Sequence, residues 1–162
     1  MVEDQTVVIR LAKKADYPTI VAAHEAIYQD EYGFDQTFVS FVERSLHEAN
    51  EDDYIWLATD EHEDFLGSIA VYRVDEQNAQ LRFFLVRPSG RGKGLGRALM
   101  DIACDHAKAA RYVSLMLWTN AQLVAARALY DAYNFKMMET KRSFLSQQWV
   151  KEEKWVCCLK DI

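Results

Sequence analysis

Phe83-Phe84-Leu85-Val86-Arg87-Pro88-Ser89-Gly90-Arg91-Gly92-Lys93-Gly94-Leu95-Gly96-Arg97 reads as three pieces in one stretch. Its apolar, aromatic-rich opening has strand character, and Pro88 stops it. Glycines then alternate through Gly90, Gly92, Gly94 and Gly96. An apolar period of three to four follows at Leu95, Ala98, Leu99, Ile102, Ala103, Ala107 and Ala110. The spacing predicts strand, Gly-rich turn and helix. That is the layout of an anion cradle: glycines let backbone N–H groups crowd round a phosphate, and the helix N-terminus adds partial positive charge.

Two common cradles are excluded by spacing. A P-loop needs Gly-Lys followed by Ser or Thr, and here Gly94 follows Lys93. A dinucleotide fingerprint built on Gly92 and Gly94 would need a glycine at Arg97 and an acid near the end of the next strand. That strand, Val113 to Trp118, carries no acid. What remains is Arg91-x-x-Gly94-x-Gly96 after Val86-x-Pro88, which resembles the acyl-CoA loop of the GNAT superfamily of N-acetyltransferases. A Gly-rich turn of purely structural purpose is the alternative.

A second pattern stands downstream. After Leu117-Trp118-Thr119 come Asn120, then Leu123-Val124-Ala125-Ala126-Arg127-Ala128-Leu129-Tyr130, then Phe135. This resembles the second GNAT signature, an Asn after the fifth strand and an Ala…Leu-Tyr helix closing on Gly-Phe. Asn134 replaces that glycine, and Asn tolerates a left-handed backbone better than most residues. The resemblance runs from Phe83 to Phe135. Tyr28-x-x-Glu31-Tyr32-Gly33-Phe34, Arg82 to Val86 and Gln148-Trp149 look like one branch, the acetyltransferase domain fused behind MarR-type regulators. No winged helix is present in this sequence.

Working outward, 162 residues suit one domain spanning 1–162, long enough to bury a core. Half the residues are hydrophobic and 27% are charged, an ordinary globular mix. The net charge of -6 argues against a nucleic-acid partner and is compatible with cationic substrates, though an acidic solvated surface explains it equally. No secretory segment or membrane-spanning run is visible, so no membrane partner is expected. Cys104, Cys157 and Cys158 lack metal-ligand spacing; reduced thiols and a cytoplasmic setting fit, with no metal.

The expected elements follow in order. A strand over Thr6–Leu11 precedes a helix capped by Asp16, with Tyr17, Ile20, Val21, Ile27 and Tyr28 inward and His24 on that face. A second helix turns Phe38, Phe41, Val42 and Leu46 to one side. Strands follow at 54–59, 65–74 and 79–86; in the last, Leu81, Phe83 and Leu85 share a face. The chain ends with strands near 137–144 and 154–159, linked by a segment holding Gln147-Gln148-Trp149. The order β-α-α-β-β-β-α-β-α-β-β matches the α/β GNAT fold. The resemblance implies a mixed, mostly antiparallel sheet splayed between its fourth and fifth strands, with helices on both faces.

The resemblance also implies the chemistry: acetyl-CoA as acyl donor and direct transfer to the primary amine of a small molecule or amino acid. The alternative is a non-catalytic acyl-CoA-sensing domain. Loop residues Arg91, Gly92, Lys93, Gly94, Leu95 and Gly96 would bind the CoA pyrophosphate, while Phe84, Leu85 and Val86 line the pantetheine arm. Asn120 would hydrogen-bond that arm or cap the following helix. Tyr130 corresponds to the general acid that protonates the CoA thiolate, unless its ring merely packs on the core. A phenol with pKa ~10 can donate at neutral pH. Where some relatives place a glutamate base, a rough alignment puts Gln80. Substrate candidates are Glu31 for the amine, Arg82 for a carboxylate and Trp149 as a pocket wall. Each has a plainer reading: a cap-side acid, a sheet-paired charge, a core ring. A homodimer is compatible with this family.

Overall fold

A computed structural model describes residues 6–121, 123–145 and 147–159. Strand β1 (Val8–Leu11) leads through a 3₁₀ turn to helix α1 (Tyr17–Tyr32), followed by α2 (Gln36–His47). Three strands follow, β2 (Tyr54–Thr59), β3 (Phe65–Arg73) and β4 (Asn78–Val86). A 3₁₀ turn at Pro88–Gly90 then opens into α3 (Leu95–Ala109). Strand β5 (Ser114–Asn120), α4 (Val124–Ala132), β6 (Lys136–Leu145) and β7 (Gln148–Cys158) complete the order. The sheet runs β1-β2-β3-β4-β5-β7-β6 and is antiparallel except for the parallel β4–β5 pair. This is the mixed α/β sheet expected from the motif order. No helix among the described residues is long and apolar enough to cross a membrane.

Each face of the sheet buries its own core. On one face α3 packs Leu99, Met100 and Ala103 against Leu81, Leu115 and Leu117. On the other, α1 and α2 pack Ile20, Ile27, Val42 and Leu46 against Ile55, Leu57 and Ala70. Burial of this kind, at about 25 cal/mol per Å² of apolar surface, is what fixes the helices to the sheet. Helix α1 ends where Gly33 takes a left-handed conformation; its N–H donates to the Gln29 carbonyl and the Phe34 N–H to the Tyr28 carbonyl, both at 3.1 Å.

Several expectations are corrected. Asp16 stands at the start of α1 but makes no side-chain cap there. Its carboxylate accepts from the Lys13 amide at 2.7 Å and from the Arg10 guanidinium at 2.9 Å, bracing the 3₁₀ turn instead. Phe38, Val42 and Leu46 pack inward from α2 as expected, but Phe41 is 51% exposed and Val39 is buried in its stead. Gln148 to Glu153 belong to β7, so the β6–β7 connection is a tight hairpin with Gln147 at φ 59°. The run Lys151-Glu152-Glu153-Lys154 hid that strand, because alternation of charge gives no apolar period.

The most consequential correction lies in β4. Leu81 and Leu85 do not share a face: Leu81 joins the α3 side and Leu85 the α1 side. Against β3, Ala70 pairs with Arg82 and Ser68 with Leu85, so β4 carries an extra residue and bulges at Phe83 and Phe84. Phe83 takes φ 52°, and Ser68 Oγ donates to its carbonyl at 2.6 Å. Opposite the bulge a Cβ on Gly67 would lie 2.6 Å from the Leu85 carbonyl oxygen, so the strands close up there only because position 67 has no side chain.

Candidate active site

The bulge marks where β4 leaves β5. The two strands pair only over Asn78–Gln80 with Ser114–Met116, and beyond Gln80 they share no ladder. A cleft of about 380 Å³ lies along the part of β4 that has left β5. Phe84, Leu85 and Val86 form one wall, and the first turn of α4, with Leu123, Ala125 and Ala126, faces them. Ile27, Tyr28, Glu31 and Tyr32 of α1 line the same cleft.

The Gly-rich turn closes one end. Gly92 and Gly94 adopt φ 77° and 76°, left-handed conformations that disfavour any side chain, and a Cβ at either would point into open space. Gly94 is the N-cap of α3, whose first backbone bond inside this turn runs from the Ala98 N–H to the Gly94 carbonyl at 3.0 Å. The N–H groups of the residues between are the orphan donors of a helix start, and they sit beside the cleft. Gly90, Arg91, Gly92, Gly94, Leu95 and Gly96 all line it. Lys93 lies on the exposed outside of the turn.

Tyr130 is not in the cleft wall. Its ring, 5% exposed, packs near Phe84, Phe135 and Trp155 at centroid distances of 6.2, 5.9 and 6.2 Å. Burial raises its pKa far above the ordinary phenol value, the nearby Tyr28 adds to the rise, and the Thr119 hydroxyl offsets part of it. Phe84, its neighbour, lines the cleft. Asn120, 8% exposed, ends β5, and its carbonyl accepts from the Leu123 N–H at 2.9 Å, turning the chain into α4.

Helix α4 is anchored from beneath by a buried acid. Glu153 of β7 is fully buried, and its Oε1 lies 2.8 Å from Arg127 Nε of α4 and accepts from Trp155 Nε1 at 3.2 Å. Oε2 of Glu153 has no hydrogen-bond partner among the described residues. In the sequence Arg127 stands within the Ala…Leu-Tyr signature without a role, and Glu153 is one charge in a charged run.

The three substrate candidates part company. Glu31 lines the cleft, where Arg91 donates to both its carboxylate oxygens at 2.9 and 3.2 Å. Arg82 lies outside the cleft lining; its Nε donates to Gln80 Oε1 at 3.1 Å and its guanidinium stacks 4.7 Å over the Tyr72 ring. Trp149 is 62% exposed on β7, 5.4 Å from Phe144 across the hairpin, and is not among the residues lining this cleft. The neighbouring Gln148 instead donates to the Tyr32 carbonyl at 3.0 Å, tying the hairpin to the end of α1. Tyr28 and Tyr32 line the cleft without having been assigned a role from sequence. Their spacing of four beside Glu31 was the available signal. Burial pushes the Tyr28 phenol up to about 12.

Comparison with known proteins places these features. The model of the acetyltransferase (GNAT) family matches residues 18–135. A search of curated proteins found no match. Among solved structures, a GNAT-family acetyltransferase from Staphylococcus aureus Mu50 superposes with a TM-score of 0.81 at 20% identity, covering 95% of this chain and 99% of that one. An acetyltransferase from Streptococcus agalactiae 2603 gives 0.75 at 20% identity over 94% and 98%. Spermidine N-acetyltransferase from Vibrio cholerae, in complex with CoA and spermine, gives 0.73 at 14% identity over 95% and 96%.

Proposed function

Because this chain belongs to the acetyltransferase (GNAT) family, with acetyl-CoA as its acyl donor, we propose that it acetylates the primary amine of a small molecule or amino acid. The observation that carries this reading is the join of two features: the orphan N–H groups at the start of α3 and the splay of β4 from β5 share one cleft. A diphosphate suits the first and an extended arm with its thioester suits the second. Loop residues Arg91 to Gly96 would hold the diphosphate, and Phe84 to Val86 the arm. The described lining contains no Ser or Cys, which favours direct transfer over an acyl-enzyme. An amine acceptor accords with Glu31 in the cleft and with the net charge of -6. The Vibrio cholerae relative was solved with spermine, an amine.

Tyr130 is our candidate for the general acid. Its raised pKa keeps the phenol protonated at neutral pH, so it carries a proton to give, while the same rise makes it a weaker acid than an exposed tyrosine. Backbone N–H groups of the bulged strand near Leu85 and Val86 would stabilise charge on the thioester oxygen. Asn120 would bond the pantetheine arm beside its turn into α4. The segments Tyr28 to Phe34 and Gln148-Trp149 support the finer kinship with domains fused to MarR-type regulators.

The test is a panel of amines and amino acids incubated with acetyl-CoA, read by CoA release and by the mass of the product. At least one amine should give both signals. CoA binding without turnover on any amine would overturn the catalytic reading.

A further inference from the structure

Arg91 does more in this cleft than stand in a glycine-rich motif. Its Nη1 and Nη2 donate to the two oxygens of Glu31, and its Nε donates to the Val86 carbonyl at 3.1 Å. All three guanidinium nitrogens are engaged, and they join three parts of the site: the turn before α3, the end of β4 and the end of α1. The planar cation therefore lies across the cleft it helps to line. Glu31 holds the guanidinium proton more tightly than usual.

The pair is built to open. Its side chains are 47% and 32% exposed, and exposed ion pairs shift an equilibrium by only about two- to fivefold. A diphosphate arriving at the turn presents more negative charge to Arg91 than one carboxylate does, in the bidentate geometry a guanidinium favours. Glu31 would then lose its partner while facing the same cleft. Tyr28 and Tyr32, with rings 5.5 Å apart, line the same cleft one turn apart beside it.

We propose that the Arg91–Glu31 pair is a placeholder, in which Glu31 stands in for the diphosphate on Arg91 until the cofactor takes the guanidinium and frees Glu31 to receive the acceptor's ammonium group. This rests on the reading of the cleft as a CoA site and deepens it: the acceptor is cationic and its site is completed by the donor. By linkage, a bound amine must favour the cofactor by the same factor.

A double-mutant cycle tests the competition. CoA is titrated by calorimetry into the wild type, Glu31→Gln, Arg91→Gln and the double variant. Glu31→Gln should tighten CoA binding about two- to fivefold while Arg91 is present, and have little effect once Arg91 is Gln. Equal tightening in both backgrounds would reveal general repulsion of an anion and overturn the placeholder. So would weaker binding by Glu31→Gln, the result if Glu31 positions Arg91 for the cofactor. A wild type that fails to bind CoA would overturn the CoA reading itself and this inference with it. The release of Glu31 is read separately, by carbodiimide coupling of glycinamide followed by peptide mass analysis. Saturating CoA should speed labelling at Glu31; unchanged or slower labelling would overturn that half.

Discussion

The two strands that part beside the cleft are made in opposite ways. Strand β5 is regular: seven consecutive residues, Ser114 to Asn120, pair without interruption with Cys158 to Glu152 of β7. The β4 wall is broken, with a bulge at Phe83–Phe84, a positive φ at Phe83 and a close approach at Gly67. Strand β5 keeps a full ladder with β7 and lacks one with β4 only beyond Met116, whereas β4 is bent by its bulge and turns Phe84 to Val86 into the cleft. On the proposed reading, backbone chemistry falls to the β4 side, and the proton comes from Tyr130 of α4.

Breaking the β5 side should show first in turnover. If Tyr130 is the acid, Tyr130→Phe should lower kcat by ~10²–10⁴ with CoA affinity unchanged, since general acid catalysis has that worth. A rate like the parent's, where chemistry is limiting, would leave Tyr130 as a packing residue beside Phe84. Removing the anchor beneath α4 should cost stability instead. Arg127→Ala leaves the fully buried Glu153 without its cation, a loss of about 3–5 kcal/mol in urea unfolding. Adding Glu153→Gln to that variant should return most of it.

On the β4 side the effects are smaller and local. Gly67→Ala drives a Cβ towards the Leu85 carbonyl, and overpacking of this kind costs about 1–3 kcal/mol. It should also weaken CoA binding, because Leu85 and Val86 line the cleft. The smallest effect is one of pH. His24 packs edge-on against Phe83, its Nδ1 is 2.8 Å from the Ile20 carbonyl, and burial pushes its pKa down to about 4. The unfolded chain binds a proton near the ordinary value of 6.5, so the folded state loses stability as pH falls from there towards 4. By about pH 5.5 the loss should reach about 1 kcal/mol relative to about pH 8. A His24→Gln variant should not show that increment in its urea midpoint.

The same contrast explains what could be read from sequence. Strand β2 matches its expected bounds, Tyr54 and Thr59, and the turn from Pro88 into α3 appears where alternating glycines announced it. Local signals carried both. The bulge had no such signal, for no Gly or Pro interrupts Leu81 to Val86, and Phe83 adopts a conformation its side chain disfavours. What meets it lies on another strand, where Ser68 donates to the Phe83 carbonyl and Gly67 lets the chain close up on Leu85. Glu31 and Arg91 likewise stand far apart in the chain, and only the meeting of α1 with the turn before α3 makes them one unit. Lys151 to Lys154 carry no apolar signal, though Glu153 in their midst is wholly buried. Features fixed by neighbours along the chain were legible; those fixed by neighbours across the sheet were not.

The cysteines bear on how turnover can be followed at the bench. Cys104 and Cys157 are buried, with thiols that burial pushes up, Cys104 to about 12, whereas Cys158 is exposed at the end of β7. A chromogenic disulfide reagent used to detect liberated CoA should thus meet a prompt background of one equivalent per folded chain. Uptake of the second and third equivalents would report opening of the core on the α3 side. One reagent then gives two records from the same cuvette, the release of product and the integrity of the catalyst.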